Sequence, residues 1–157
     1  MAELKEEKPV KTKTKKNYIA TVGRRKNAVA RVRLYDGVSE VLFGEQPVKK
    51  GEVFVNSMLA EKYFGSEVAK VSFMEPFRIT NTLNKFIATI KVAGGGKAGQ
   101  LDAVIHGISR GLSTFDTEKY RKILKKKGFL TRDSRIRERR KVGTGGKARR
   151  AKQSPKR

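Results

Sequence analysis

The chain has 157 residues, with 38 Lys and Arg against 15 Asp and Glu, one His, no Cys and a formal charge of +23. That length accommodates one ordinary domain with a tail or two, and not two full domains. Without Cys there is no disulfide framework, thiolate zinc site or cysteine nucleophile; one His precludes a multi-histidine metal centre; and no apolar run nears the roughly 18 residues of a membrane span.

Residues 1–16 alternate Lys with Thr, Glu and Val and carry a net charge of +3. They lack the apolar stretch of a signal peptide, and Glu3, Glu6 and Glu7 are foreign to a transit peptide, so a disordered basic arm on an intracellular protein is expected. Residues 17–115 hold 14 basic and 8 acidic side chains, the balance of a mildly basic globular domain. Residues 18–22 read as a strand ending at Gly23, followed by a four-residue polar turn, Arg24-Arg25-Lys26-Asn27. Residues 28–35 alternate, with Ala30, Val32 and Leu34 on one face and Arg31 and Arg33 on the other. Asp36-Gly37 is a hairpin signal, with 38–43 as the returning strand, 44–51 a polar loop and 52–55 a further short strand.

Two short helices are expected over 57–64 and 66–73, split by Gly65, capped by Ser57 and Ser66 and stopped before Pro76. Residues 85–93 form the clearest strand, with Phe86, Ala88, Ile90 and Val92 on one face and Ile87, Thr89 and Lys91 on the other. After Gly94-Gly95-Gly96 a helix runs from Lys97 to Leu112, its Leu101, Val104, Ile105, Ile108 and Leu112 making one apolar stripe. A last helix spans 117–126 and stops at Gly128. Short strands followed by helices without regular alternation predict an α+β fold, a mixed β-sheet with helices on one face.

Residues 116–157 carry a net charge of +14, and from Thr131 onward 12 of 27 residues are Lys or Arg. Ile136 and Val142 cannot bury enough apolar surface to offset the chain entropy of that stretch. It is expected to be a long, extended basic C-terminal tail that orders only against negative charge, leaving 17–130 as the globular domain. Fully extended, 27 residues reach at most roughly 90 Å.

Four constellations could carry chemistry. Gly94-Gly95-Gly96-Lys97 opens a helix after a strand, where backbone N–H groups and the positive helix end favour an anion. Its spacing is not that of a P-loop, since Lys91 stands five before Gly96 and Ala98 replaces the required Ser or Thr. Phosphate binding by Lys97 and a purely conformational use of the glycines both fit. Gly107 and Gly111 serve either close packing or close approach of RNA, with Arg110 between them reaching phosphate. Asp102 and His106 are spaced to meet on one helix turn, as a structural pair or, less economically, in a nuclease. No nucleophile has an evident base, and no metal or cofactor motif is present, so no enzyme is expected. Finally, Arg24, Arg25, Lys26, Arg31 and Arg33 put five cations in ten residues with no acid between them, a pattern suited to bidentate phosphate contact.

Taken in order, Gly23-Arg24-Arg25-Lys26 with Ala30-Arg31-Val32, Tyr63-Phe64-Gly65, Gly94-Gly95-Gly96, His106-Gly107-Ile108-Ser109-Arg110, Gly128-Phe129-Leu130-Thr131-Arg132-Asp133, Glu138-Arg139-Arg140-Lys141-Val142-Gly143, Lys147-Ala148-Arg149-Arg150 and the final Lys156-Arg157 resemble the bacterial-type small-subunit ribosomal protein nine family. The resemblance implies a ribosomal-protein-S-five-domain-two-like fold, no catalysis, and a place in the head of the small subunit of a cytoplasmic or organellar ribosome. It further implies binding of small-subunit rRNA, with Arg132, Arg135, Arg137, Arg139, Arg140, Lys141, Lys147, Arg149 and Arg150 along the RNA-threaded tail. Lys156 and Arg157 would then approach the anticodon stem-loop of peptidyl-site tRNA, beside neighbouring head proteins. The chain departs from the family pattern at Pro155, at Thr144-Gly145-Gly146, at Ile105 and in a longer 38–51 hairpin. From composition alone, a free RNA chaperone or DNA-compacting protein would fit as well.

Overall fold

The computed structural model describes residues 18–44 and 46–139, and within them a mixed sheet of five strands is covered on one face by helices. Strands β1 (Tyr18–Arg25), β2 (Ala28–Tyr35), β3 (Glu40–Phe43), β4 (Gln46–Lys49), β5 (Val53–Val55) and β6 (Met58–Leu59) precede helices α1 (Ala60–Phe64) and α2 (Glu67–Ile79). Strand β7 (Ile87–Ala93) and helices α3 (Lys97–Phe115) and α4 (Thr117–Lys126) complete the order. The main sheet runs β1-β2-β7-β5-β6; β5 lies parallel to β7 and the other pairings are antiparallel, so the expected mixed α+β architecture is present.

Alternation along β2 sets the layering. Ala28, Ala30, Val32 and Leu34 are buried under α3, whereas Arg31 and Arg33 point to the other side and are exposed. The helix layer and the inner sheet face share one core, in which Phe73, Phe77, Ile90, Val104, Ile108, Leu112 and Leu124 are buried. Contact between α3 and β1 is unusually close. The Thr21 hydroxyl donates to the Gly107 carbonyl at 2.8 Å. A methyl on Gly107 would sit 2.6 Å from Val32 Cγ2, and one on Gly111 would sit 2.5 Å from Leu34 Cδ1. Both helix glycines are therefore explained by packing, the plainer of the two readings.

Five local expectations need correction. Strand β1 continues through Arg24 and Arg25, so the turn is Lys26-Asn27 alone, with Lys26 at φ 50°. Polar residues looked like a turn there because β1 is an edge strand whose outer positions face water. The segment after Gly37 does not return along β2, whose two edges are occupied by β1 and β7. It forms a separate hairpin, with β4 in place of the expected loop, that packs Phe43 and Val48 on Phe54 and Ile87 across the outer sheet face. Ile87 and Thr89, on the outer face of β7, are buried there.

Ser57 is no helix cap: it and Asn56 have φ of 66° and 47° in the two-residue turn between β5 and β6, and α1 begins only at Ala60. Helix α2 runs through Pro76 to Ile79, because Phe73, Pro76 and Phe77 bury together and offset the roughly 3 kcal/mol that an interior proline costs. Helix α3 likewise extends one turn past Leu112. Gly65 does divide α1 from α2, at φ 64° with its N–H bonded to Glu61. Residues 132–139 form neither helix nor strand, and the arm 1–16 and the tail from 140 onward lie outside the described residues.

Candidate nucleic-acid interface

The outer face of the sheet is divided. Its β5–β7 half lies under the β3–β4 hairpin, while on the β1–β2 half no described element covers Arg24, Arg31 and Arg33, all exposed. Register adds a fourth cation: Arg31 stands opposite Lys91 on β7, and both are exposed. Small and aliphatic residues, Ala20, Val22, Val29 and Ala93, separate them, and no carboxylate shares the face. Among the described residues no ion pair engages these four cations. The Arg33 guanidinium lies 4.9 Å from the centre of the Tyr18 ring, which is itself packed 5.3 Å from Tyr35. A row of cations, unpaired among the described residues and edged by an aromatic ring, presents donors of the type that phosphates take. Lys91 belongs to this row although sequence reasoning did not select it. Its phase in the 85–93 alternation was visible, but which strand it would face was not.

The pleat sends Arg25 the other way. Its side chain is only 15% exposed and its Nε lies 3.4 Å from Asp102 on α3. One terminal nitrogen pairs with the Asp133 carboxylate at 2.9 Å. The other donates to the Asp133 and Arg135 carbonyls at 3.3 and 2.7 Å. Arg25 thus fastens the segment after α4 to the sheet edge. Asp102 and His106 do not form the pair their spacing allows. Asp102 goes to Arg25, and His106 Nδ1 accepts the Arg24 N–H at 3.3 Å. Burial, then the neighbouring Arg110 and Arg132 cations, hold the His106 pKa below its ordinary value, although backbone contacts at Arg24 and Leu130 oppose them. Nδ1 acts as an acceptor because the Arg24 N–H donates to it. Arg135 folds back on Asp133, its Nη2 at 2.7 Å from the carboxylate. That side-chain hydrogen bond, then the Arg135 backbone N–H, and more weakly Arg25, hold the Asp133 carboxyl well below the usual range.

Lys26 projects at the β1–β2 turn, where Asn27, Gly95, Gly96 and Lys97 enclose a shallow groove at the start of α3. Gly94 and Gly95 have φ of 75° and 62°, and a methyl on Gly94 would strike the Asn27 carbonyl, so these two glycines are conformational. Gly96 has extended backbone and open space beside it, and it precedes the first turn of α3, whose N–H groups have no partner within the helix. Lys97 donates to the Tyr63 carbonyl at 2.8 Å and lies over the Tyr63 ring at 3.4 Å. Its charge is drawn toward α1. Arg110 donates to the Val22 carbonyl at the β1 edge, away from the open face. Arg132, Arg137 and Arg139 are exposed after α4, and Arg140, Lys141, Lys147, Arg149, Arg150, Lys156 and Arg157 lie outside the described residues. Among the described residues no group of three or more His, Asp or Glu is placed to hold a metal.

The site is thus a carboxylate-free row of cations on a half-open sheet, with a basic segment leaving its edge. The family model described as ribosomal protein S9/S16 matches residues 23–157, and the chain belongs to that family, which is structural and non-enzymatic. A small ribosomal subunit protein uS9 from Anaeromyxobacter sp. (strain K) is 43% identical over 126 residues, covering 80% of this chain and 87% of the relative. The protein of that name from Maridesulfovibrio salexigens is 44% identical over 131 residues, covering 83% and 91%. The resemblance read from the motifs is thus confirmed.

Proposed function

We propose that this protein is a structural constituent of the small-subunit head that binds small-subunit rRNA and extends its C-terminal tail to peptidyl-site tRNA. The uncovered row Arg24, Arg31, Arg33 and Lys91, in a chain whose relatives are named small ribosomal subunit proteins, carries the reading. Each cation seated on a phosphate releases condensed counterions, so affinity falls steeply with salt. Recognition then comes from RNA shape and single-stranded features, since side chains cannot read a deep A-form major groove. In this reading the sheet and helices take a ribosomal-protein-S-five-domain-two-like fold, with 17–130 as the globular unit and 131–157 as the tail.

Arg25 gives the tail a fixed point of departure, which supports a directed thread rather than a diffuse polycation. Arg132 through Arg150 line RNA in this reading, and Lys156 and Arg157 meet the anticodon stem-loop, on a cytoplasmic ribosome with other head proteins alongside. Deleting Lys156-Arg157 should leave small-subunit assembly intact and weaken peptidyl-site tRNA binding several-fold, in line with about 1 kcal/mol for lost exposed charge contacts. Unchanged tRNA binding together with failed assembly would remove the tail from this role.

A further inference from the structure

A second basic site lies on the helix side of the molecule. Arg110 from α3, Arg121 and Lys125 from successive turns of α4, and Thr131 just after α4 line a cleft of about 280 Å³ together with Ser113, Thr114 and Leu130. No carboxylate lines it. The acids of α4, Asp116 and Glu118, stand at the far end of that helix, where Asp116 caps Lys119. Three cations from two helices line one cleft beside hydroxyl groups, the charge and donor types that a phosphate oxyanion takes, with one Arg110 nitrogen already held by the Val22 carbonyl. Cations in the last turn of a helix also complement its dipole, which accounts for Lys125 and Lys126 alike. It does not account for Arg110 and Arg121 lining the same cleft as Lys125 and not Lys126. Thr131 lines this cleft and also the groove holding Arg24, Asp102, His106 and Asp133, so the cleft flanks the point where the tail departs.

We propose that the α3–α4 cleft binds a backbone phosphate of RNA and so gives the protein a second RNA contact, separate from the sheet face, beside the root of the tail. This rests on the RNA-binding reading above. An RNA held at both places would be fixed in direction where the tail enters it, and neither site alone could do that.

The test uses the full chain and a small-subunit rRNA transcript, with affinity measured across a salt series. Arg121→Gln/Lys125→Gln is compared with the charge-matched Lys122→Gln/Lys126→Gln, whose residues do not line the cleft. The cleft variant should bind about tenfold more weakly near physiological salt and lose roughly 0.7 to 0.9 from the log–log salt slope, one phosphate contact's worth. The control should lose less than about a third of that, as unspecific charge does. Amide spectra of both variants establish that each is folded. Equal losses in the two variants overturn the cleft. So does a titration in which inorganic phosphate shifts the Thr114 and Thr131 amides while the two variants bind RNA alike, since the site then takes free anions only. A wild-type chain that binds the transcript no better than Arg31→Gln/Arg33→Gln would instead count against the sheet-face reading, a separate failure.

Discussion

Substituting Gly23 tests the contact on which both the fold and the tail root depend. A methyl group there would overlap the Ala103 carbonyl oxygen and lie 2.5 and 2.9 Å from Gly107 N and Cα. All three are backbone atoms of α3 and cannot rotate away. Restoring ordinary contact distance requires the helix to retreat by about 1 Å from a sheet against which Ala103, Val104 and Ile108 are fully buried. Overpacking of this kind costs about 1–3 kcal/mol or more, and the loss of unfolded-chain freedom returns only about 0.5–1 kcal/mol. The backbone overlap at Gly23 lies at or beyond the top of that range, so Gly23→Ala should destabilise the full chain by about 2 kcal/mol or more.

Gly107→Ala meets the Val32 side chain at 2.6 Å instead of backbone. It also regains about 1 kcal/mol of helix propensity, so its net cost should be about 1 kcal/mol. Gly96→Ala has nothing within 4 Å and should be neutral within about 0.5 kcal/mol. Urea unfolding of the three variants, with slopes compared to confirm a common transition, gives the ranking. Gly23→Ala and Gly96→Ala unfolding at the same denaturant concentration would refute the close-approach argument.

Arg25→Gln should release residues 133–135 from the sheet edge, read as faster amide exchange at Arg135 with little change in the core strands. Arg25→Lys should rescue this only in part, because a single ammonium cannot reach two carbonyls and two carboxylates together. His106 should titrate below 6.5 in a ring-proton experiment. The unfolded chain then takes up the proton first, so this residue lowers stability as pH falls from about 6.5 through the folded-state value. Asp133 has the same sign at lower pH: its contribution is present above about 3.9, is lost as pH falls through its depressed value, and is absent in Asp133→Asn. Gln at Arg31, Arg33 and Lys91 together should flatten the salt dependence of rRNA binding by roughly 2 to 3, at 0.7–0.9 per contact; an unaltered slope would exclude the sheet face.

Much of this arrangement was legible in the residue order. The alternation of Ala30, Val32 and Leu34 with Arg31 and Arg33 needs no partner to be read, because the pleat alone separates the two faces. The α3 stripe and the Gly65 break are equally local. What the sequence could not carry was pairing. Nothing in residues 36–43 tells that both edges of β2 are taken, and so the hairpin was assigned to the wrong neighbour. Arg24 and Arg25 look equivalent as adjacent cations, yet one pleat step makes the first an open surface charge and the second an internal fastener. Pro76 was read as a stop because its cost is local, while the burial of Phe73 and Phe77 that offsets it is tertiary. The helical spacing of Asp102 and His106 matches them along one helix, whereas their partners lie across the sheet edge, 82 residues away in sequence for His106 and Arg24.

Cross-linking of assembled small subunits, with sites mapped on this protein at residue level, addresses the central claim most directly. Cross-links to rRNA should fall on the open β1–β2 half of the sheet, at or beside Arg24, Arg31, Arg33 and Lys91. They should be sparse on the hairpin-covered half around Phe43 and Val48. A map with the hairpin face against RNA and the cation row facing solvent would contradict it.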